Sequence, residues 1–359
     1  MLFSRPFPNA FGLDIGDLSI KLVYLERKPG WRNRNQLRAK TVRSVVLPPG
    51  YIVDGELLQP EMIRKKLLHL LGKEDGKKVI HSPWVVASLP EPKSFLQLIK
   101  IDVPPTDLTA EDVEFQAAKN LPYQTDEIHL DYQVVNENPA DTFSKVLISA
   151  MPKTFADSYT YLLESAGLTP IALEPESIAL ARSMITANKT YHGEARAILD
   201  IGSSRSTLIV YDHNCVQFSA CLKFSGELLT MAITQKLGVE RDEAEKLKKQ
   251  NGLAYDSHRP GYLKAITDQT DTLIEEIKKT VAFYKNHFPT PNPVTHITLC
   301  GGGANLKGLG STIARQLKIT ASTGHPWKNL GAAFSEQENI AALPLATAIG
   351  LGLRAVNGF

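Results

Sequence analysis

The sequence predicts an α/β protein of two domains, with a small α+β module inserted in the first domain. Three observations support this fold class. The tetrapeptide Leu-Asp-Ile-Gly occurs twice, at residues 13–16 and 199–202, and both copies lie between two β-type runs. Strand-like and helix-like patterns alternate through the 359 residues, a length sufficient for two hydrophobic cores. A β-α-β-β-α pattern over residues 89–165 interrupts the first half of the chain.

Each repeat is predicted to form the turn end of a β-hairpin, over residues 11–25 and 197–211. When the two copies are aligned, Leu22 matches Leu208, so the similarity continues into the second strand of each hairpin. A tight Gly turn with small polar residues presents backbone N–H groups that can bind an anion. Two such hairpins predict a binding site in which the two turns hold a polyphosphate and each contributes an aspartate toward a metal ion.

The remaining elements of the first domain follow from hydrophobic periodicity and from helix-end signals. Thr109 precedes an acidic first turn, which predicts the start of a helix in the inserted module. In order, the pattern predicts a strand at 37–48, a helix at 60–71, strands at 84–89 and 94–103, a helix at 110–119, strands at 129–136 and 143–150, and a helix at 153–166.

The second domain is predicted in the same way. A connector at 171–177 leads into a helix that ends near Met184, and the polar residues 188–194 separate the two domains. After the second hairpin, the pattern predicts a strand at 216–222, helices at 225–238, 240–250 and 265–287, a strand at 294–300, a helix through 317 and a final helix of small residues at 344–353.

Bulk composition excludes several classes of protein. The net charge of +2 gives no reason to expect nucleic acid as a partner. The three cysteines, Cys215, Cys221 and Cys300, have no Cys-x-x-Cys spacing, which indicates a reducing compartment and no structural zinc. The sequence has neither a secretion signal nor the roughly 18 uninterrupted apolar residues that a spanning helix needs, so we expect a cytoplasmic protein.

One stretch around Trp31 is strongly basic. A solvated hairpin between two edge strands is the favoured interpretation, and an anionic partner or a membrane surface is the alternative. The cations are Arg27, Lys28, Arg32, Arg34, Arg38, Lys40 and Arg43.

Two motifs in the second half could bind a nucleotide. The chain has neither a Walker A loop nor an intact Gly-x-Gly-x-x-Gly pattern, so a phosphate site would be of the hairpin type. The triplet Gly301–Gly303 could let the backbone lie flat against a base or ribose, although a tight strand-to-helix turn is the simpler explanation. Glu245 and Lys248, one helical turn apart, could bind ribose and flank a base, or form a surface ion pair.

The order of these features resembles the actin-like ATPase superfamily, which includes actin, hexokinases, the large heat-shock chaperones, MreB and FtsA. Two hairpins, a Glu-Pro connector, a Glu/Lys helix, a glycine triplet and a small-residue last helix follow in the same succession. The resemblance covers nearly the whole chain and implies the actin-like ATPase fold, with two domains and an inserted subdomain. The implied subdomains are 1–88 with 166–190, 89–165, 191–224 with 290–359, and 225–289.

Within the superfamily, the inserted module resembles those of FtsA and of the PilM family of type IV pilus assembly proteins. The PilM family is the closer match. Sequence motifs that resemble those of this family are found at residues 110–122, 130–134, 162–170, 173–182 and 300–309. An amphipathic anchoring tail of the FtsA type is not recognisable after Arg354, which weakens a role in cell division.

The resemblance implies ATP and Mg²⁺ as ligands. Asp14 and Asp200 would lie near the magnesium ion, mostly through water, since Mg²⁺ keeps much of its hydration shell. Glu245 and Lys248 would contact the ribose and base, and the glycine triplet Gly301, Gly302 and Gly303 would lie against the adenosine. The implied phosphate-loop residues are Gly16 and Lys21 in the first hairpin, and Gly202, Ser203, Ser204, Ser206 and Thr207 in the second.

One position departs from the family pattern. Residue 17 is Asp, where the family usually has a Ser or Thr that donates to a phosphate. A carboxylate there would repel a γ-phosphate unless magnesium or Lys21 screens it. Because no residue presents itself as a general base for water either, we expect at most weak ATPase activity.

The resemblance further implies a cytoplasmic ATP-binding scaffold of the pilus inner-membrane assembly platform, peripheral at the membrane through its partners. These are the N-terminal tail of a PilN-like single-span membrane protein and other platform proteins. An apolar groove can hold such a tail, and here it would be lined by Phe95, Leu98, Phe115, Lys119 and Leu121. Three alternatives stay open: an FtsA-like filament-forming division protein, a sugar kinase, and the related part of a type II secretion or competence system.

Overall fold

The computed structural model describes residues 7–28, 36–74, 78–136, 138, 140–254, 260–331 and 334–358. These residues form two compact units. Unit 1 comprises Met1–Ala179, Cys215–Ser219 and Thr347–Phe359, and unit 2 comprises Leu180–Asn214 and Ala220–Ala346. The α/β fold class predicted from the sequence is confirmed.

The helices and strands are numbered separately in chain order. The first half contains β1 Phe11–Gly16, β2 Ser19–Arg27, β3 Leu37–Val46, β4 Ile52–Val53, β5 Glu56–Leu57, α1 Pro60–Leu70, β6 Trp84–Leu89, β7 Phe95–Ile101, α2 Ala110–Ala118, β8 Ile128–Val134, β9 Ser144–Pro152, α3 Lys153–Ser165, β10 Thr169–Pro175 and α4 Glu176–Met184. The second half contains β11 Ala195–Ile201, β12 Ser206–Asp212, β13 Cys215–Leu222, α5 Gly226–Leu237, α6 Arg241–Asn251, α7 Pro260–His287, β14 Val294–Cys300, α8 Leu309–Leu317, β15 Thr320–Thr323, α9 Glu336–Ala342 and α10 Ala346–Asn357.

Unit 1 is built on a five-stranded sheet with the strand order β10-β6-β1-β2-β3. The hairpin strands β1 and β2 are antiparallel, whereas β6 runs parallel to both β1 and β10. Apolar side chains of β1 and β2 alternate between the two faces, so both faces of the sheet can be covered. One face packs against α1 and α3 through Leu67 and Tyr159, and the other packs against α10 through Leu351.

Glycines let the last helix lie unusually close to its neighbours in unit 1. A Cβ atom on Gly12 of β1 would lie 2.3 Å from the backbone nitrogen of Gly352, and one on Gly350 would lie 1.8 Å from the carbonyl oxygen of Ala179. Neither contact leaves room for a side chain, because real Cβ atoms do not approach backbone atoms below about 3 Å. The helix of small residues predicted near the end of the chain is therefore α10, and its glycines serve packing.

The inserted module lies within unit 1. Its strands are ordered β7-β9-β8, and α2 covers one face through Val113 and Ala117, which pack with Ile99 and Ile148. Thr109 caps α2 as predicted, since its hydroxyl accepts from the Asp112 N–H at 3.2 Å while the Asp112 carboxylate accepts from the Thr109 N–H. The buried side of α3, by contrast, belongs to the core of the five-stranded sheet.

Unit 2 contains the strands β15-β14-β11-β12 in that order, with β11 and β12 antiparallel and the other pairs parallel. Asp212, at the end of β12, is a buried carboxylate that holds several segments together. It accepts hydrogen bonds from the Tyr284 hydroxyl on α7 and from the backbone and side-chain nitrogens of Asn292. Burial disfavours the charged carboxylate, but these donors outweigh it and lower the pKa of Asp212.

Several differences from the predicted elements have simple causes. Helix α7 begins at Pro260 rather than near residue 265, because proline is well tolerated in a first helical turn. The short strands β4, β5 and β15 have too few residues for a periodic signal. The predicted basic hairpin includes Trp31, Arg32 and Arg34, which lie outside the described residues.

Among the described residues, one helical stretch, Glu336–Asn357, has the length and hydropathy of a membrane-crossing segment, although the sequence was expected to contain none. Of its apolar window, 67% is buried inside the protein. A core helix of a soluble protein passes the same test, so this stretch is weak evidence for a membrane span.

Candidate functional site

The two Leu-Asp-Ile-Gly hairpins have the same register. In the first, Leu13 pairs with Leu22, and in the second, Leu199 pairs with Leu208. This is the alignment that the repeat predicts, so the similarity extends from the turn into both strands. The residue opposite Asp14 is Lys21, whereas the residue opposite Asp200 is Thr207. The two copies therefore share a backbone but differ in the side chain that faces the aspartate.

In unit 1, Asp14 is buried and fully engaged with protein partners. Its Oδ2 lies 2.9 Å from the Nζ atom of Lys21, and its Oδ1 accepts from the Ser88 hydroxyl at 3.2 Å. The Ser88 hydroxyl in turn accepts from the Ile15 N–H at 3.0 Å. These bonds fix the carboxylate at the turn and place the predicted phosphate lysine against the predicted magnesium aspartate.

Asp17 has a structural partner that its sequence position does not suggest. It occupies the two-residue turn of the first hairpin, in the place that Ser203 occupies in the second. Its side chain is buried, and its Oδ1 accepts from the Gly55 N–H at 3.2 Å. Gly55 lies in a turn with a φ of 80°, so Asp17 stabilises this turn as well as adding charge to the loop.

The second hairpin in unit 2 has a turn made of small, exposed polar residues. The Gly202 N–H donates to the Arg205 carbonyl at 2.8 Å, and Ser203 and Ser204 stand exposed between them. Cross-strand pairing puts Thr207 on the same face as Asp200 and puts Ser206 on the opposite face. Asp200 and Thr207 therefore share one face next to the two turn serines, and both Thr207 and Ser206 are buried.

The start of α5 lies directly beside this turn. The Gly226 N–H donates to the Gly202 carbonyl at 3.0 Å, and the Glu227 N–H donates to the Ser203 carbonyl at 2.9 Å. Lys248 of α6 reaches the same place, because its Nζ donates to the Gly226 carbonyl at 2.8 Å. The predicted base-flanking lysine and the predicted phosphate loop are therefore neighbours in unit 2.

Glu245 and Lys248 form an ion pair that is more than a surface contact. Their charged atoms are 2.6 Å apart, and both side chains bond to the Thr230 hydroxyl of α5, at 2.8 Å and 2.7 Å. Burial disfavours the charged carboxylate, but the hydrogen bonds from Lys248 and Thr230 outweigh this and lower the pKa of Glu245. The contacts with Thr230 hold the pair in one orientation, as a ligand contact requires.

The glycine triplet after β14 lies against β11. Gly301 has a φ of 76°, and a Cβ atom there would lie 2.5 Å from the Ile201 carbonyl oxygen and 2.6 Å from Oδ1 of Asp200. A Cβ atom on Gly303 would lie 2.2 Å from the Ile201 side chain. Gly302 differs, because among the described residues other than its chain neighbours no atom lies within 4 Å of the place its Cβ would take. The first and third glycines serve packing, whereas the second leaves open space at the surface.

A metal would need water to complete its ligands. Among the described residues, no group of three or more His, Cys, Asp or Glu side chains could hold a metal ion. The Cys300 thiol donates to Asp200 at 3.5 Å, and burial together with this aspartate raises its pKa well above its ordinary value. The thiol therefore stays protonated. A magnesium ion at this site would be held by carboxylates through intervening water molecules.

The five predicted groove residues lie in different settings. Phe95 and Leu121 pack partly buried against the module core, and strand alternation puts Leu98 on the opposite face of β7 from Phe95. Phe115 is 69% exposed on α2. The Nζ atom of Lys119 lies 4.2 Å from its ring centroid. The structure brings Phe115 and Lys119 together, and the groove itself stays a prediction.

Three residues that contact the candidate site residues were not identified from the sequence. Ser88 interrupts an otherwise apolar strand, so a polar residue in a buried run was an available signal. Thr230 and Gly55 gave none, because their roles depend on contacts with distant residues.

Known proteins similar to this chain carry the same architecture. The solved "PilM-PilN type IV pilus biogenesis complex" is 23% identical, covers 98% of this chain and 99% of its own, and superposes with a TM-score of 0.79. The ethanolamine utilization protein EutJ from Carboxydothermus hydrogenoformans is 14% identical, with 97% and 90% coverage and a TM-score of 0.56. At these identities the likeness concerns the fold, which is that of the actin-like ATPases as predicted.

Sequence comparison gives a partial and a nearly complete match. The cell division protein FtsA of Bacillus subtilis (strain 168) is 30% identical over 105 residues, which is 29% of this chain and only 23% of the length of FtsA. The model of the family described as "Type IV pilus assembly protein PilM" matches residues 12–356. Because that match spans both units, the chain belongs to the PilM family of type IV pilus assembly proteins.

Proposed function

We propose that this protein is a cytoplasmic nucleotide-binding scaffold of type IV pilus assembly, which binds the N-terminal cytoplasmic tail of a PilN-like inner-membrane protein. The observation that carries the proposal is the family match over residues 12–356. A further support is the TM-score of 0.79 to a structure whose title names a PilM-PilN complex. The partner would hold the protein at the inner membrane.

The nucleotide part of the proposal rests on unit 2. The serine turn at 203–204, the Glu245–Lys248 pair and Gly302 combine backbone N–H groups, an oriented ion pair and a surface without a side chain. ATP would place its phosphates at the turn, its ribose near Glu245 and its adenosine against Gly302. Asp200 would act on magnesium through water, and Asp14 and Lys21 of unit 1 remain the predicted counterparts in the first hairpin.

A binding role is favoured over rapid turnover. The buried carboxylates at the first hairpin are committed to protein contacts, Asp14 to Lys21 and Ser88, and Asp17 to Gly55. A general base must instead reach a water molecule within hydrogen-bond distance of the phosphate. Bound ATP would then favour one conformation of the scaffold over another, by as much as its affinity differs between them.

The peptide part of the proposal rests on the module in unit 1. Phe115 projects from α2 with most of its surface exposed, in a helix whose inner residues Val113 and Ala117 are fully buried. An exposed aromatic ring on a rigid helix is the usual anchor of a peptide interface. The Lys119 ammonium, 4.2 Å from the ring centroid, favours one orientation of the ring through a cation–π contact.

Replacing Phe115 by glutamate is expected to weaken binding of the tail about tenfold or more, because it removes an aromatic anchor and adds a charge. The measurement is calorimetric titration with a synthetic peptide of the N-terminal cytoplasmic tail of a PilN-like protein from the same organism. Tyr161→Glu on α3 is the matched control, since Tyr161 is 70% exposed against 69% for Phe115. Equal binding by wild type and F115E would reject the assignment of the peptide site to α2.

A further inference from the structure

The strand at one edge of the five-stranded sheet has an unusual surface. Strand β3 is last in the order β10-β6-β1-β2-β3, and most of its residues are exposed, including Val46 at 74%. The ladder between β2 and β3 also shifts register opposite Tyr24 and Leu25. Such an irregularity twists the edge and discourages another strand from pairing with it.

This edge carries a concentrated positive charge. The described residues among 26–43 include five Lys or Arg and a single acidic residue, Glu26. We call the five described cations among residues 26–43 the basic edge. The basic edge consists of Arg27, Lys28, Arg38, Lys40 and Arg43.

Protein contacts neutralise only part of the basic edge. Glu26 is shared between Arg38, at 2.5 Å, and Lys40, at 3.3 Å. Arg43 donates to the carbonyl oxygens of Leu70 and Lys78, which carry no charge. Among the described residues, Glu26 is thus a single carboxylate shared by two cations, Arg38 and Lys40, which leaves an excess of positive charge on these exposed residues of the strand edge.

The chemistry of the basic edge limits the classes of ligand that it can bind. Arginine and lysine on an edge strand oppose the addition of a further strand, so an extended peptide is a poor occupant. Single-stranded nucleic acid would need exposed aromatic rings for stacking. Tyr24 is the one aromatic residue among the described residues of β2 and β3. It is buried, and the Lys40 ammonium lies over its ring, 4.6 Å from the centroid.

We propose that the basic edge binds anionic phospholipid headgroups at a membrane surface. A bilayer offers many interchangeable negative charges in a plane, which suits a row of flexible cations without a pocket. This goes beyond the proposed peptide site, because it uses a different element of unit 1, the edge strand β3, and needs no partner protein. Two weak attachments, one to a protein tail and one to lipid, would together bind the scaffold more tightly than either alone.

The proposal predicts binding that depends on lipid charge and on salt. The wild-type full chain should sediment with vesicles containing phosphatidylglycerol and not with pure phosphatidylcholine vesicles. Binding should fall as ionic strength rises, since exposed charges are screened within a Debye length of about 10 Å at 0.1 M salt. Glycerol phosphate in solution should not compete, because a single headgroup cannot engage several cations.

Charge variants test the residues. Arg38→Glu combined with Lys40→Glu should reduce binding to phosphatidylglycerol vesicles about tenfold or more. Glu26→Gln frees both cations from their shared partner and should increase binding by roughly twofold to fivefold. Because one change weakens and the other strengthens binding, general unfolding cannot imitate both results.

The control carries the same charge change on another surface. Lys264→Glu with Lys278→Glu alters two lysines of α7 that are 66% and 46% exposed, against 55% and 38% for Arg38 and Lys40, and that also form ion pairs. Lipid binding should be nearly unchanged in this variant. Equal binding by the R38E/K40E variant and wild type, or equal loss in the control, would overturn the proposal. Binding of wild type to DNA but not to anionic vesicles would overturn it as well.

Discussion

Alanine at position 350 is expected to destabilise the protein by about 3 kcal/mol, since overpacking of a close contact typically costs 1–3 kcal/mol or more. The new methyl group would meet the Ala179 carbonyl oxygen at 1.8 Å, and a backbone atom cannot move aside as a side-chain tip can. Helix α10 would have to shift away from α4 and lose contacts such as that of Leu351. Thermal unfolding should show a decrease in Tm of roughly 6 to 12 °C.

A second helical glycine provides the control. Among the described residues, a Cβ atom on Gly261 of α7 would meet two side chains and no backbone, the end of Leu237 at 3.3 Å and Cγ of Lys236 at 3.6 Å. Gly261→Ala should therefore change stability by less than about 0.5 kcal/mol, or increase it slightly, because alanine favours helix. Similar Tm values for the two variants would mean that α10 does not pack as closely as described.

The substitution Gly302→Leu is expected to reduce the affinity for ATP about a hundredfold or more, a loss of about 2.8 kcal/mol, while changing stability little. Apart from its chain neighbours, no described residue has an atom within 4 Å of the Cβ position at Gly302, and Gly302 is exposed, so a side chain can begin there without a clash at its Cβ atom. Only a ligand lying against the turn would collide with it. Calorimetric titration with ATP and magnesium, together with a thermal unfolding curve, measures both properties.

The size of the effect should follow the size of the side chain. Gly302→Ala should reduce affinity less than Gly302→Leu, since a methyl group intrudes less on the space of a planar base. Undiminished ATP affinity in the leucine variant would place the adenosine elsewhere. A lower Tm in the leucine variant would show that the glycine serves folding rather than ligand contact.

The repeated hairpins were predictable because their signal is local. Leu-Asp-Ile-Gly followed at fixed distance by a second apolar strand gives both the turn and the register, and the structure pairs Leu13 with Leu22 and Leu199 with Leu208 accordingly. The cap at Thr109 was predictable for the same reason, since its partner Asp112 lies three residues away. Such elements depend on neighbours in sequence.

Contacts between distant residues were not predictable from one sequence. Asp17 was interpreted as a charge that repels phosphate, whereas its carboxylate also holds the Gly55 N–H, 38 residues away. Glu245 and Lys248 were weighed against an ordinary surface pair, and the reason for their fixed orientation is Thr230 on another helix. Nothing in the local pattern identifies either partner.

The glycine triplet shows the same difference between what a local pattern reveals and what distant contacts decide. The triplet Gly301–Gly303 was visible as a motif, but its members could not be distinguished without the position of Ile201. The structure assigns packing to the first and third glycines and leaves Gly302 open. That distinction makes a test of ligand contact possible without a loss of stability.

The central claim, that this member of the PilM family binds ATP, is tested most directly by titrating the wild-type protein with ATP in magnesium and again in excess EDTA. We predict binding of one nucleotide per chain in magnesium and weaker binding in EDTA, because Asp200 would act through the metal. At ~1 mM ATP, even weak binding with a free energy of about −4 kcal/mol is detectable. The absence of saturable binding at that concentration would contradict the account.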